Sequence, residues 1–232
     1  MSEKEQGPLL PRPWYTSLTA VWKDADKFAA LVKPSKALQL AGNHVLIPED
    51  CWHFTVLAIM KLNGHPDGTQ NMREFADRVF EPIRSDNDVR QRLQNGFKCF
   101  TAEVYEVRCS DKGMTLQFEC GERLRDFRNH ARRVLSEPVA ALVSLHTNSE
   151  TGRRFREARG IPLVESILDD PNKNYGTRAF GSIARSPCWS DASNERWSEP
   201  LKGVGLKFNR IHLLVSDEML TNPRRTEEDI LI

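Results

Sequence analysis

A histidine and a threonine two residues apart are the side chains of this chain best suited to chemistry. His53 and Thr55 follow a turn-like Pro48-Glu49-Asp50 and open an apolar run. The run is typical of a β-strand, whose period of two puts both side chains on the same face. An imidazole exchanges protons near neutral pH, and a neighbouring hydroxyl can hydrogen-bond an oxygen on which charge develops. The spacing therefore predicts a strand face able to support acid–base chemistry.

A second strand-like stretch, residues 180–185, reads Phe-Gly-Ser-Ile-Ala-Arg. Together the two stretches resemble the two-histidine phosphoesterases, a superfamily that includes the 2′,5′ RNA ligase-like and cyclic phosphodiesterase enzymes. Its signature, His-x-Ser/Thr-apolar, occurs once in each of two pseudo-symmetric lobes. His53, Thr55 and Ser182 match this pattern, whereas Phe180 occupies the position of the second histidine. The resemblance covers most of residues 14–220.

The resemblance implies an α+β fold with two pseudo-symmetric lobes of antiparallel sheet, flanked by helices, around a central groove. It implies a metal-independent, cofactor-free reaction on a nucleotide or RNA phosphodiester: a 2′,3′-cyclic phosphate, a 2′,5′-linked or a cyclic oligonucleotide. His53 would transfer a proton, and Thr55 and Ser182 would hold the phosphate. Phe180 would pack against a base or ribose.

Phenylalanine cannot transfer a proton, so half of the acid–base pair is missing at position 180. Three outcomes stay open: a one-histidine enzyme, a site completed by another residue, or a degenerate member that binds or sequesters RNA or a nucleotide signal without turnover. An interaction scaffold with a relic groove is a further alternative. His212 is the obvious substitute, although Leu214 rather than a hydroxyl follows it two residues on. Tyr175 is another candidate proton donor.

Several other residues have both a functional and a structural interpretation. Arg185 could face a phosphate or be a solvated strand end. Trp189 could stack on a base or pack against the protein. The arginines of residues 123–133 and 153–159 could face RNA, but they are interleaved with acids, as on solvated helix faces.

Composition limits the class of protein. The 232 residues are 39% apolar, with 33 basic and 32 acidic side chains and a formal charge of +1. These values favour a globular protein and exclude a global basic field, so any nucleic-acid contact is local. Five scattered cysteines without a Cys-x-x-Cys pair predict reduced thiols. With no apolar run near the roughly 18 residues of a membrane helix and no signal core, we expect a soluble, cytoplasmic protein.

The domain organisation expected is one bilobal domain, residues 14–222, between a flexible arm (1–13) and a polar tail (223–232). An insertion is expected at about residues 146–178. The predicted strands are 14–22, the second half of 45–59, 97–108, 114–120, 179–185 and 204–216, and the predicted helices are 24–32, 35–41, 71–94, 123–145 and 152–168.

Overall fold

Eight strands and four helices make up the part of the chain described by the computed structural model, which covers residues 13–22, 45–46, 54–66, 72–110, 113–170, 176–185, 203 and 205–217. This mixed composition confirms the predicted α+β class. The elements in chain order are β1 (Trp14–Trp22), β2 (Val45–Leu46), β3 (Phe54–Leu62), α1 (Met72–Arg84), α2 (Asn87–Gly96), β4 (Phe100–Ser110), β5 (Gly113–Glu119), α3 (Glu122–Asn148), α4 (Glu150–Arg159), β6 (Val164–Ser166), β7 (Arg178–Arg185) and β8 (Gly205–Asp217).

The strands form one antiparallel sheet in the order β2-β7-β5-β4-β8-β1-β3-β6. The ladder between β4 and β8 is short, joining Phe100–Glu103 to Gly205–Phe208. It divides the sheet into a first half, β8-β1-β3-β6, and a second half, β4-β5-β7-β2. Each half therefore has four strands, with a short strand at its outer edge. β3 begins one residue after His53, and β7 contains Phe180 and Ser182. Counted outward from the β4–β8 ladder, each of these strands is the third of its half.

One face of this sheet is apolar and joins the core. In β3, the side chains of Phe54, Leu57 and Met60 are fully buried, and they pair with β1 residues that alternate in the same way. The buried stripes of α1, α2 and α3 belong to the same hydrophobic cluster. The sheet is thus flanked by helices on its apolar side, as amphipathic helices require.

Four phenylalanine rings tie the two halves together at the centre of the core. The ring centroid of Phe54 lies 4.3 Å from that of Phe208 and 5.7 Å from those of Phe100 and Phe118. Phe54 belongs to the first half and Phe118 to the second, so the core is continuous between them. The sheet must curve for rings on non-adjacent strands to meet.

The predicted helix over residues 71–94 is wrong as a single element, because the structure contains two helices there. Asp86 interrupts it with an extended backbone (φ −76°, ψ 104°), and its carboxylate accepts hydrogen bonds from the amides of Asp88 and Val89. The apolar periodicity continues across this N-cap, which hides the break from a pattern analysis.

The predicted helix over residues 152–168 is also wrong in its second part. α4 ends at Gly160, whose φ of 71° is the left-handed conformation of a helix C-cap. The chain then forms β6, in which Ser166 pairs with Met60 of β3. Tertiary pairing with a partner about a hundred residues earlier overrides local helical periodicity here.

The sequence does not predict β2; the other elements agree with expectation to within a few residues at their ends. The 14–22 strand, the β4–β5 hairpin and the final strand are confirmed. The predicted helices 24–32 and 35–41 lie outside the described residues, as do the tail and nearly all of the arm. None of the helices in the described part is both long enough and apolar enough to cross a membrane.

Candidate functional site

The face of the sheet opposite the core carries polar residues in the first half. Thr55 of β3 pairs with Thr19 of β1, and Thr19 pairs with His212 of β8. Directly opposed residues of antiparallel strands project on the same face. Thr55, Thr19 and His212 therefore form one row across three strands, which we call the polar row. Ser17 and Ser216 lie on the same face of neighbouring rows.

The polar row is shielded from bulk solvent. Thr19 is 0% and His212 7% exposed, while Thr55 is half-buried. The Thr19 hydroxyl Oγ1 donates to the His212 carbonyl at 3.4 Å. Burying hydroxyls and an imidazole costs free energy unless they are hydrogen-bonded. The side chains of a buried row of this kind need hydrogen-bond partners within the protein, unlike those of a solvent-exposed sheet face.

The second half also has a polar face, and Phe180 lies on it. Phe180 pairs with Gln117 of β5, and Gln117 pairs with Glu106 of β4. Phe180 is 40% exposed, whereas its neighbour Ala179 on the core face is 3% exposed. A large apolar ring is thus presented among polar side chains, which fits a stacking surface for a planar ligand.

Ser182 pairs with Thr115 one step further along β7. The Thr115 hydroxyl lies 3.4 Å from the Gln117 amide nitrogen Nε2, which donates to it. For Ser182 and Arg185 the structure describes the backbone alone, so their placement is that of two β7 residues in the ladder with β5 and β2.

β3 and β7 approach each other although four strands separate them in the sheet order. Cα atoms of the two strands lie within 8 Å. Arg128 of α3 bridges their beginnings: its Nε donates to the carbonyl of Val56 at 2.6 Å, and a terminal nitrogen donates to the carbonyls of Arg178, at 2.7 Å, and Gly176, at 3.1 Å. The structure therefore brings together the starts of the two strands on which the motif argument depends.

Arg128 is 2% exposed. Burial lowers the pKa of its guanidinium to about 10, with a small opposing effect from Cys120. That value is still far above neutral pH, so the guanidinium stays charged and can donate from all its N–H groups. Sequence reasoning missed this role by grouping Arg128 with a solvated or RNA-facing run. The apolar stripe could have revealed it, since Arg128 lies four residues after Leu124 and three before Ala131.

The start of β7 is surrounded by an ion pair and a ring. Arg178 Nε donates to a Glu119 carboxylate oxygen at 3.0 Å, and its guanidinium lies 4.8 Å from the centroid of Tyr105. Hydrogen bonds, first from Thr177 and then from Arg178, hold the pKa of Glu119 below its ordinary value. This pair is largely exposed, so it orients the strand end more than it stabilises the fold.

Cys120, the residue after β5, is not suited to nucleophilic chemistry. Burial raises the pKa of its thiol to about 12, outweighing a lowering effect of Arg128. The thiolate is the reactive form. At neutral pH this cysteine is a small apolar core residue, as the sequence predicts for its thiols.

The structure brings three of the eight predicted site residues onto the polar face: Thr55 and His212 in the first half and Phe180 in the second. His53, Tyr175 and Trp189 lie outside the described residues. Thr19 was missed, because a threonine between apolar strand residues gives no signal of its own. Over the described ranges, no three His, Cys, Asp or Glu side chains are grouped as a metal would need.

Comparison with known proteins gives no family assignment. No family model matches the chain, and no curated protein matches it. Among solved structures, TT0787 of Thermus thermophilus is 15% identical, with 94% of this chain and 95% of that chain covered and a TM-score of 0.48. Usb1 of Kluyveromyces marxianus is 9% identical, with 94% and 98% covered and a TM-score of 0.36. Likenesses at this level do not assign a fold or an activity to the chain.

Proposed function

We propose that this chain acts on a nucleotide or RNA phosphodiester, bound in a groove between the two halves of the sheet, in the manner of a two-histidine phosphoesterase. One observation carries the proposal. β3 and β7 occupy equivalent third places in the two halves, and their beginnings approach each other. A site of this kind needs one motif from each half on either side of a single phosphate.

His53 is the proton-transfer residue in this proposal. It accepts the proton of a water that attacks phosphorus, and a second group gives a proton to the oxygen that leaves. The hydroxyls of Thr55 and Ser182 donate hydrogen bonds to the non-bridging oxygens, where negative charge accumulates. With a 2′,3′-cyclic phosphate, the leaving oxygen belongs to the ribose and the product is a phosphate monoester. No metal and no cofactor takes part in these steps.

His212 is the proposed second proton-transfer group, because Phe180 cannot take that role. It lies in the polar row two strands from Thr55. At a strand spacing of about 4.8 Å, the two backbones are roughly 10 Å apart with Thr19 of β1 between them, so both side chains can reach a phosphoryl group bound above the row. Tyr175 is the alternative donor.

The rest of the proposed site binds the nucleoside and the charge. Phe180 packs against a base or ribose, which its exposure on the polar face allows. Trp189 stacks on a second base, and Arg185 pairs with a phosphate.

The proposal is tested by turnover of 2′,3′-cyclic nucleotides, cyclic oligonucleotides and 2′,5′-oligoadenylates. We expect His53→Ala to lower turnover by about 10²–10⁴-fold, the usual contribution of one general acid or base. His130→Ala is the matched control, since His130 lies on α3 and contacts the Arg92 carbonyl. If the wild-type protein turns over none of these nucleotides, the proposal that the chain is an enzyme is overturned.

A binding protein without turnover is the second candidate, and the phenylalanine at position 180 favours it. Calorimetric titration with the same nucleotides separates the two. Saturable binding that Phe180→Ala weakens, with no product formed, supports the binding protein. If neither binding nor turnover is found for any nucleotide, an interaction scaffold is the remaining interpretation.

A further inference from the structure

We propose that Arg128 is a positioning residue that sets the gap between the two motif strands. The inference rests on the proposed function, because the gap it sets is the one that a phosphate would fill. Arg128 itself is buried, at 2% exposure, so its role would be exerted through the strands that it contacts. Its hydrogen bonds reach β3 and β7 at once.

The three described bonds all end on backbone carbonyls. Val56 belongs to β3, Arg178 opens β7, and Gly176 lies just before it. Carbonyl contacts fix the path of the main chain whatever side chains the strands carry. The planar guanidinium holds its donors in a rigid fork, so it fixes angle as well as distance. One side chain thereby sets how far apart two non-adjacent strands begin.

The hydrogen bonds of Arg128 reach β3 and β7 next to the motif positions. Val56 follows Thr55 directly, and Arg178 precedes Phe180 by two residues. A register shift between β1 and β3 pairs Thr19 with Thr55 and Leu18 with Leu57, so Val56 is the extra residue of a bulge. Bulges re-aim neighbouring side chains. The Arg128 bond to the Val56 carbonyl holds this bulge, and with it the direction of Thr55.

β6 does not provide the same restraint. Its ladder with β3 covers only Met60–Leu62, at the far end of the strand. Among the hydrogen bonds described for β3 outside its ladder with β1, the one nearest the motif comes from Arg128, and the next, from the amide of Ile167, reaches the carbonyl of Ile59. A change at Arg128 should therefore move the start of β3 relative to β7 without unpairing either strand from its own half.

The deciding variant is Arg128→Lys, which keeps the charge and the buried stem but loses the fork. We expect kcat on a 2′,3′-cyclic nucleotide to fall by about 10- to 100-fold, as misplacement of reacting groups by about 1 Å does, with KM changed by less than about threefold. Amide hydrogen exchange should become faster at 54–57 and 176–181 and stay unchanged in β4. Arg128→Met should have a larger effect in the same segments.

Arg125→Lys is the matched control, because Arg125 is an exposed residue of the same helix that pairs with Glu122. It should match the wild type in kcat and exchange. Wild-type kcat and exchange in Arg128→Lys would overturn the inference, including when Arg128→Met fails to fold. If the wild type neither turns over nor binds any nucleotide, the proposed function fails. The exchange measurement then still decides whether Arg128 joins the strands.

Discussion

Phe180 is a large apolar residue that is partly exposed on the polar face of the sheet. It is 40% exposed beside a buried Ala179, and it pairs with a polar residue on β5. Replacing an apolar ring in that position should cost the fold less than at a fully buried position, because part of the ring already contacts solvent. Its identity therefore reports on what the polar face contacts, not on the stability of the core.

Phe180→His places an imidazole at the position where the resemblance expects the second motif histidine. If position 180 faces the same phosphate as His53, Phe180→His in a His212→Ala background should raise turnover by about 10²–10⁴-fold, because it supplies the second proton-transfer group that this background lacks. Steady-state kinetics on a 2′,3′-cyclic nucleotide measures this. Phe180→Leu is the control for loss of the ring, and equal rates for the two variants would show that position 180 does not face the reacting group.

The thiols offer a second test at the residue scale. Cys120 has a pKa of about 12 and is 6% exposed, whereas Cys99 is exposed. Iodoacetamide at pH 8 should alkylate Cys99 and leave Cys120 unmodified, since the reagent needs an accessible thiolate. Peptide mass spectrometry measures both sites, and labelling in urea shows that Cys120 can react when exposed. Equal native rates at the two sites would contradict its burial.

At the scale of elements, local capping decides where helices begin. The Asp86 carboxylate accepts two amide hydrogen bonds at 2.9 and 3.1 Å, and these define the start of α2. α4 begins in the same way, with Ser149 accepting from the amide of Gly152 at 3.0 Å. Both caps satisfy N–H groups that a helix leaves without an internal partner.

Asp86→Ala should destabilise the protein by about 0.5–2 kcal/mol, because the amides of Asp88 and Val89 lose their acceptor. The shift in the urea midpoint measures this. Asp86→Ser retains a capping oxygen and should remain close to the wild type. A similar loss in both variants would mean that the carboxylate acts through charge rather than as a cap.

For the whole molecule, continuity of the core between the halves is the central feature. Phe54 is fully buried and contacts rings from β4, β5 and β8. Because the β4–β8 ladder is short, we expect ring packing to be the main reason that the two halves unfold together.

Phe54→Ala should therefore lower the free energy of unfolding by about 3–5 kcal/mol, the cost of a cavity at a large buried ring. Urea denaturation followed by fluorescence and by far-ultraviolet circular dichroism checks it, and both probes should change together. Phe180→Ala, at a ring that is 40% exposed, should cost less than about 2 kcal/mol. If Phe54→Ala lowers the free energy of unfolding by less than about 1 kcal/mol, the packing of these rings does not stabilise the contact between the two halves.

His146 predicts how stability depends on pH. It is half-buried near the end of α3, in a cavity of about 440 Å³ that it shares with His65 and Phe75, and burial lowers its pKa. The unfolded chain then binds more protons than the folded one once pH falls below the ordinary value of about 6.5, so stability decreases there. Urea midpoints between pH 8 and pH 5 measure the decrease. His146→Gln should reduce it, and an unchanged slope would contradict the assignment.

Sequence periodicity determined much of the element list. Alternation identified β1 and β8, and turn residues identified the β4–β5 hairpin, because these signals are local. The same alternation put Thr55 and Phe54 on opposite faces, as the structure has them. Continuous apolar periodicity concealed the break at Asp86, and the strand after Gly160 depends on a distant partner.

What only the tertiary structure decided is which residues meet across strands far apart in sequence. The types and spacing of the residues made Thr55, Phe180 and His212 three of the eight candidate site residues. Register between β3, β1 and β8 then placed Thr55 and His212 in one row, and curvature of the sheet brought β3 to β7. The burial of Arg128 between them is likewise a product of that curvature. Local sequence patterns do not indicate which distant segments of the chain come into contact, because loop closure and long-range packing determine those contacts.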